Sequence, residues 1–69
     1  MADPEQQPPS KRFNVRELVD EAQREAFMRR RVYPNQVRAG RMSQDDASRR
    51  IDLMEAIASR LTRTAGVEL

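Results

Sequence analysis

Two runs of apolar residues at helical spacing, separated by the segment from Pro34 to Gly40, constrain the fold of this chain most strongly. Such spacing places the apolar side chains of each run along one side of an α-helix. The sequence therefore predicts an all-α fold, a helical hairpin of two long amphipathic helices joined by a short helical elbow. The first run is Val15, Leu18, Val19, Ala22 and Ala26, and the second is Ala47, Ile51, Met54, Ala58 and Leu61.

Capping residues predict the limits of the first helix. Asn14 is a favoured N-cap, and Glu17 stands three residues later, where its carboxylate can reach back to the cap. Pro34 disfavours helical geometry at the preceding Tyr33. We therefore expect a helix over about 15–33, followed by an elbow at 34–42 that includes a short helix and a left-handed Gly40.

The second helix has equivalent signals. Ser43 is an N-cap candidate, with Asp46 three residues later, and Gly66 is a typical C-terminal stop. These residues predict a helix over about 44–63, a hairpin domain over 13–65 and a frayed end at 66–69. Residues 1–12 contain three prolines and no large apolar residue after Met1, which predicts a disordered tail.

The size of the chain favours association. It has 69 residues and no cysteine, so the single core is small and no disulfide can reinforce it. A lone hairpin would also leave apolar area exposed at Phe27, Met28, Leu53 and Ile57. Pairing of two hairpins into a dimeric bundle would cover this area, as would docking on a larger protein. The expected core and self-association residues are Leu18, Ala22, Phe27, Ile51, Met54, Ile57 and Leu61.

Catalytic chemistry has few candidate residues. The chain contains no cysteine and no histidine, and its one lysine lies in the predicted tail. The adjacent carboxylates Asp45 and Asp46 are accounted for as charges at a helix N-terminus. We therefore expect a protein that is not an enzyme and that has no catalytic, metal or cofactor site.

An arginine cluster around the elbow is the candidate partner-binding surface. Arginine and tyrosine are enriched at binding hot spots, and several of these arginines lack an acid one helical turn before them. The alternative is a solvated face that serves only solubility. The candidates are Arg30, Arg31, Tyr33, Arg38 and Arg41.

Three functions remain open at this point. The preferred one is a regulatory or accessory role by binding another protein. A nucleic-acid-binding regulator is the second, although the net charge of +2 is small and two aspartates begin the second helix. A structural subunit is the third. No apolar run is long enough to cross a membrane and no secretory signal is present, so we expect a cytoplasmic protein without membrane contact.

The elbow also resembles a known group. Residues 30–42 read Arg-Arg-Val-Tyr-Pro-Asn-Gln-Val-Arg-Ala-Gly-Arg-Met, and Ala47, Ile51, Met54 and Ile57 follow. This block resembles small phage- and prophage-encoded helical proteins that carry a V-Y-P-x-x-V-x-x-G-x-M element. That group has no assigned general activity. The resemblance covers about 25–58 and implies expression inside a bacterial host, where small phage proteins commonly bind and redirect a host protein.

Overall fold

The computed structural model describes residues 7–66, which form three helices and no β-strand. These are α1 (Pro9–Arg12), α2 (Val15–Arg38) and α3 (Gln44–Thr64). Helices α2 and α3 pack along each other as an antiparallel hairpin, because only residues 39–43 connect them. The molecule measures 50 × 29 × 15 Å, so it is a single layer of two helices. The predicted all-α hairpin is confirmed.

Both long helices begin at the predicted caps. The side-chain Oδ1 of Asn14 accepts a hydrogen bond from the backbone N–H of Glu17 at 2.9 Å. The Oγ of Ser43 accepts one from the N–H of Asp46 at 3.1 Å. Each bond satisfies one of the donors that a helix N-terminus leaves without an internal partner, so local sequence is enough to position both starts.

The expected end of the first helix at residue 33 is wrong, because α2 continues through Pro34 to Arg38. A proline inside a helix removes one backbone hydrogen bond, the one to the carbonyl four residues earlier. That carbonyl belongs to Arg30. Arg30 and Pro34 are both exposed, so water can hydrate it. Continuing the helix keeps Tyr33 and Val37 half-buried, and the short helix expected in the elbow is the last part of α2.

Gly40, rather than Pro34, ends the helix. Its φ is +74°, which confirms the predicted left-handed conformation. The N–H of Gly40 donates to the carbonyl of Val37 at 3.0 Å, and the N–H of Arg41 donates to that of Gln36 at 2.9 Å. This pair of bonds is the Schellman motif, which satisfies carbonyls at the end of a helix while the chain turns.

The tail prediction needs correction where the structure describes the tail. Pro9–Arg12 form one helical turn, in which the N–H of Lys11 donates to the carbonyl of Pro8 at 2.9 Å. Pro9 suits this turn because its fixed φ matches a helix and its missing N–H needs no partner there. The turn buries no residue. Residues 1–6 lie outside the described residues.

The C-terminal end of α3 is close to its expected position. The helix ends at Thr64, one residue beyond the predicted limit, and Gly66 follows with a φ of +70°. Gly66 therefore acts as the stop that its residue type predicts. The remainder of the segment that was expected to fray, residues 67–69, lies outside the described residues.

Small side chains form the core between the helices. Alanine at these positions allows the two backbones to approach closely, but each alanine buries little apolar area. The only buried polar side chain among residues 7–66 is Thr62, whose hydroxyl donates to the carbonyl of Ala58 at 2.7 Å. The buried residues are Val19, Ala22, Ala26, Ala47, Ala58 and Thr62.

The larger apolar residues lie beside this core rather than in it. Of the seven expected core residues, only Ala22 is buried in the hairpin. Phe27 and Ile57 are 56% and 48% exposed and do not belong to the core of the hairpin. The reason is that alanines occupy the centre of each stripe, so bulkier neighbours are held at its flanks. The remaining four, Leu18, Ile51, Met54 and Leu61, are half-buried.

Candidate functional site

The two broad faces of the hairpin differ in chemistry. One carries a groove of about 330 Å³ between the helices, to which α2 contributes Gln23 and Phe27 and α3 contributes Ser59. An ion pair between Arg30 and Glu55 lies across this groove. We call this side the ion-pair face. It joins the helices through charged groups that remain partly accessible to water.

The opposite side carries exposed apolar residues. Successive side chains of a helix are about 100° apart, which places Met28 and Val32 on the side of α2 away from the groove. The same geometry places Leu53 and Ile57 on the side of α3 away from Glu55. Their exposed fractions are 43%, 38%, 46% and 48%, in sequence order. We call the surface formed by these four residues the apolar face.

Exposure of Phe27, Met28, Leu53 and Ile57 confirms that a lone hairpin leaves apolar area uncovered. The structure adds Val32, which sequence analysis did not single out. Its spacing of four residues from Met28 was the available signal, because residues four apart share a helix face. Exposed apolar residues that lie together commonly indicate an interaction surface.

The five predicted partner-binding residues do not all form one patch. Arg30 pairs with Glu55 on the ion-pair face. Arg31 and Arg38 are seven residues apart and therefore lie on one side of α2, away from α3. The Arg38 guanidinium donates to the Oδ1 of Asn35. Arg41 is exposed in the connection between the helices.

Two aromatic rings lie beside arginines of α2. The guanidinium carbon of Arg31 is 5.6 Å from the ring centroid of Phe27, one helical turn earlier. The guanidinium carbon of Arg29 is 6.0 Å from the ring centroid of Tyr33. Both distances fit cation–π attraction. Tyr33 is half-buried on the side of α2 that faces α3, so it is separated from Arg31 and Arg38.

Arg29 also fixes the hairpin in a way that sequence spacing could not predict. Its Nε donates to Oε1 of Glu25 at 2.9 Å, the pair expected from their four-residue separation. Its Nη1 donates to the backbone carbonyl of Arg50 at 3.0 Å, across to α3. Contacts between residues far apart in the chain, such as this one and Arg30 with Glu55, depend on how the helices dock.

Charge is unevenly distributed along the hairpin. Residues 29–50, which include the connection, contain seven arginines and two aspartates. Residues 13–28, at the start of α2, contain two arginines and four acids. We call residues 29–50 the basic end and residues 13–28 the acidic end. The end of α3, which lies beside the acidic end, adds Arg60 and Arg63. Arg31, Arg38 and Arg41 are exposed at the basic end and form the arginine surface, with Phe27 at its margin.

No protein-family model, curated protein or solved structure matches this chain. The indications of function therefore lie in the exposed surfaces of the hairpin. Among residues 7–66, no three acidic side chains are grouped in a way that could hold a metal ion. None of the helices described is both long and apolar enough to cross a membrane.

Proposed function

We propose that this chain is a small accessory or regulatory protein, encoded by a phage, that acts by binding a host or phage protein through the arginine surface. The observation that carries the proposal is the exposure of Arg31, Arg38 and Arg41 at one end of the hairpin, with an aromatic ring under Arg31. The phage origin rests on the resemblance of residues 30–42.

The geometry of the arginine surface favours a protein partner with exposed carboxylates. Arg31 and Arg38 are two helical turns apart, about 10 Å along α2 at 1.5 Å per residue. A planar guanidinium can bind a carboxylate through two parallel hydrogen bonds. The Phe27 ring restricts Arg31, so less conformational entropy is lost when a partner binds. A partner with acidic groups at similar spacing would contact both arginines together.

The charge of the basic end also favours a second candidate, binding of nucleic acid. Residues 29–50 contain seven arginines and two aspartates, so they have a local excess of positive charge, although the net charge of the whole chain is only +2. Asp45 and Asp46 are exposed at the start of α3 and would repel phosphates there. This repulsion is the reason why we rank a protein partner first.

Affinity capture with matched variants tests the proposal. The tagged protein is used to retain proteins from a bacterial lysate, in parallel with the double variant Arg31→Glu/Arg38→Glu. The control is Arg60→Glu/Arg63→Glu, which changes the net charge equally but lies on α3 outside the basic end. We expect a protein that is retained by the wild type and the control and lost with the first variant. Equal retention by all three would contradict the role of the arginine surface.

A titration of duplex DNA separates the two candidates. If Arg31, Arg38 and Arg41 each neutralised one phosphate, the logarithm of the association constant would fall with a slope of about −2.7 against log salt. Affinity would then decrease about 40-fold between 50 and 200 mM salt, which follows from that slope. Such a dependence, together with loss of binding in Arg31→Glu/Arg38→Glu, would favour the nucleic-acid function over the protein-binding one.

A further inference from the structure

The hairpin has more accessible surface than a folded monomer of its mass. Its accessible area is 5791 Å², whereas the scaling for monomeric proteins gives about 4,500 Å² at 8.0 kDa. The whole chain contributes to this area, and the single-layer shape of the hairpin, 15 Å thick, leaves both of its broad faces open. The excess exceeds the roughly 800 Å² per partner that a standard protein interface buries. The exposed area is therefore large enough to include a standard interface on one face.

The four residues of the apolar face have a symmetric arrangement. Arg30 and Glu55 pair with each other and so mark one level along the hairpin. Met28 and Val32 lie two residues before and after Arg30, about 3 Å to either side of that level at 1.5 Å per residue. Leu53 and Ile57 lie two residues before and after Glu55. Consider a half-turn about an axis that lies in the apolar face and crosses both helices at this level. This rotation exchanges the position of Met28 with that of Val32, and the position of Leu53 with that of Ile57.

We infer that the apolar face binds the same face of a second copy of this chain, in an antiparallel dimer that forms a four-helix bundle. A surface that maps onto itself by a half-turn is what a two-fold symmetric interface requires. Each apolar residue of one copy then meets apolar residues of the other. The half-buried Met54 of both copies, on the same flank of α3, closes the centre of the bundle.

Charge selects the antiparallel orientation over the parallel one. In a parallel pair, the two basic ends, each with seven arginines against two aspartates, would lie side by side and repel each other. In the antiparallel pair, the basic end of one copy lies beside residues 13–28 and the end of α3 of the other, where four arginines and four acids balance, so this repulsion is avoided. The orientation therefore follows from the charge distribution of a single hairpin.

One pair of opposite charges tests this orientation. Glu25 lies five residues from Arg30 towards the acidic end, and Arg50 lies five residues from Glu55 towards the basic end. Both are about 7.5 Å from the central level, in opposite directions, on the apolar side of their helices. The half-turn stacks α2 on α2 and α3 on α3. It therefore brings Glu25 of one copy to the level of Arg50 of the other, on the diagonally opposite helix, twice in each dimer.

Sedimentation equilibrium of the full chain across micromolar concentrations tests the dimer. We expect twice the monomer mass of 8.0 kDa at the upper concentrations. Arg50→Glu should raise the dissociation constant, because it places two carboxylates at the levels of the two Glu25 side chains of the dimer. Arg49→Glu is the matched control, since it changes the same charge on the outer side of α3.

The apolar contribution has its own pair of variants. Ile57→Lys should prevent dimerisation, whereas Ala56→Lys, on the neighbouring outer side of α3, should not; circular dichroism checks that both remain helical. A helical wild type at the monomer mass would overturn the dimer, and would assign the apolar face to a different protein. If the dimer still formed in both Ile57→Lys and Arg50→Glu, the apolar face would not be the dimer interface. Neither result would affect the arginine surface, which is tested through other residues.

Discussion

Replacement of Gly40 by alanine isolates the turn that makes this chain a hairpin. Gly40 has a φ of +74°, where an L-residue with a Cβ is strained by about 1–2 kcal/mol. A Cβ built at Gly40 meets no atom within 4 Å, so the cost is backbone strain without a steric clash. Alanine also restricts the unfolded chain, which offsets about 0.4–1 kcal/mol. The net destabilisation should be about 1 kcal/mol.

The variant has no inexpensive way to avoid this strain. If residue 40 left the left-handed region, the bonds from the N–H groups of residues 40 and 41 to Val37 and Gln36 would be lost. Each is worth about 1 kcal/mol, so abandoning the turn costs at least as much as tolerating the strain. Gly40→Asn is the matched control. Asparagine tolerates positive φ better than alanine, so this variant should be less destabilised.

Thermal unfolding at one fixed protein concentration, followed by far-ultraviolet circular dichroism, measures the difference. A loss of 1 kcal/mol corresponds to a decrease of about 4–8 °C in the melting temperature of a domain of this size. If Gly40→Ala were neutral or stabilising, or no worse than Gly40→Asn, the assignment of the stop to a left-handed glycine would be refuted.

Three further substitutions test the fold, each by the free energy of unfolding. Pro34→Ala should stabilise the protein by about 1–2 kcal/mol, because it restores a backbone donor inside α2; a destabilised variant would mean that the proline favours the native helix. Ser43→Ala should cost about 1 kcal/mol through loss of the cap bond to Asp46, whereas Ser48→Ala inside α3 should cost little. Ala47→Leu should cost about 1–3 kcal/mol, because Ala47 is 2% exposed between the helices. The same change at the exposed Ala56 is its control, and equal effects at both positions would contradict close approach of the helices at Ala47.

Local signals made the helix starts and the turn predictable from sequence. Asn14 and Ser43 act on donors within three residues of themselves, and Gly40 acts through its own φ. Interactions over such short distances depend on neighbouring residues alone, so they can be predicted correctly before the fold is known. Periodicity similarly predicted two amphipathic helices, and the width of their stripes predicted exposed apolar residues.

Pro34 shows where local reasoning fails. Its preference against a preceding helical residue is real, but it competes with the packing of Tyr33 and Val37 beside α3 and with the stop available at Gly40. A propensity cannot reveal how much burial a longer helix gains, because that gain exists only after α3 has docked.

The sequence alone thus determined the helices, the reversal at Gly40 and the basic character of the connection. Only the tertiary structure decided which apolar residues are core and which are surface, because that depends on which side of each stripe meets the other helix. It selected the alanines for the interior, since small side chains allow the closest approach, and left Met28 and Leu53 exposed on one face. The tertiary structure also decided which arginines form ion pairs between the helices. Arg30 could pair with Glu55 only after docking of the helices brought the two side chains together.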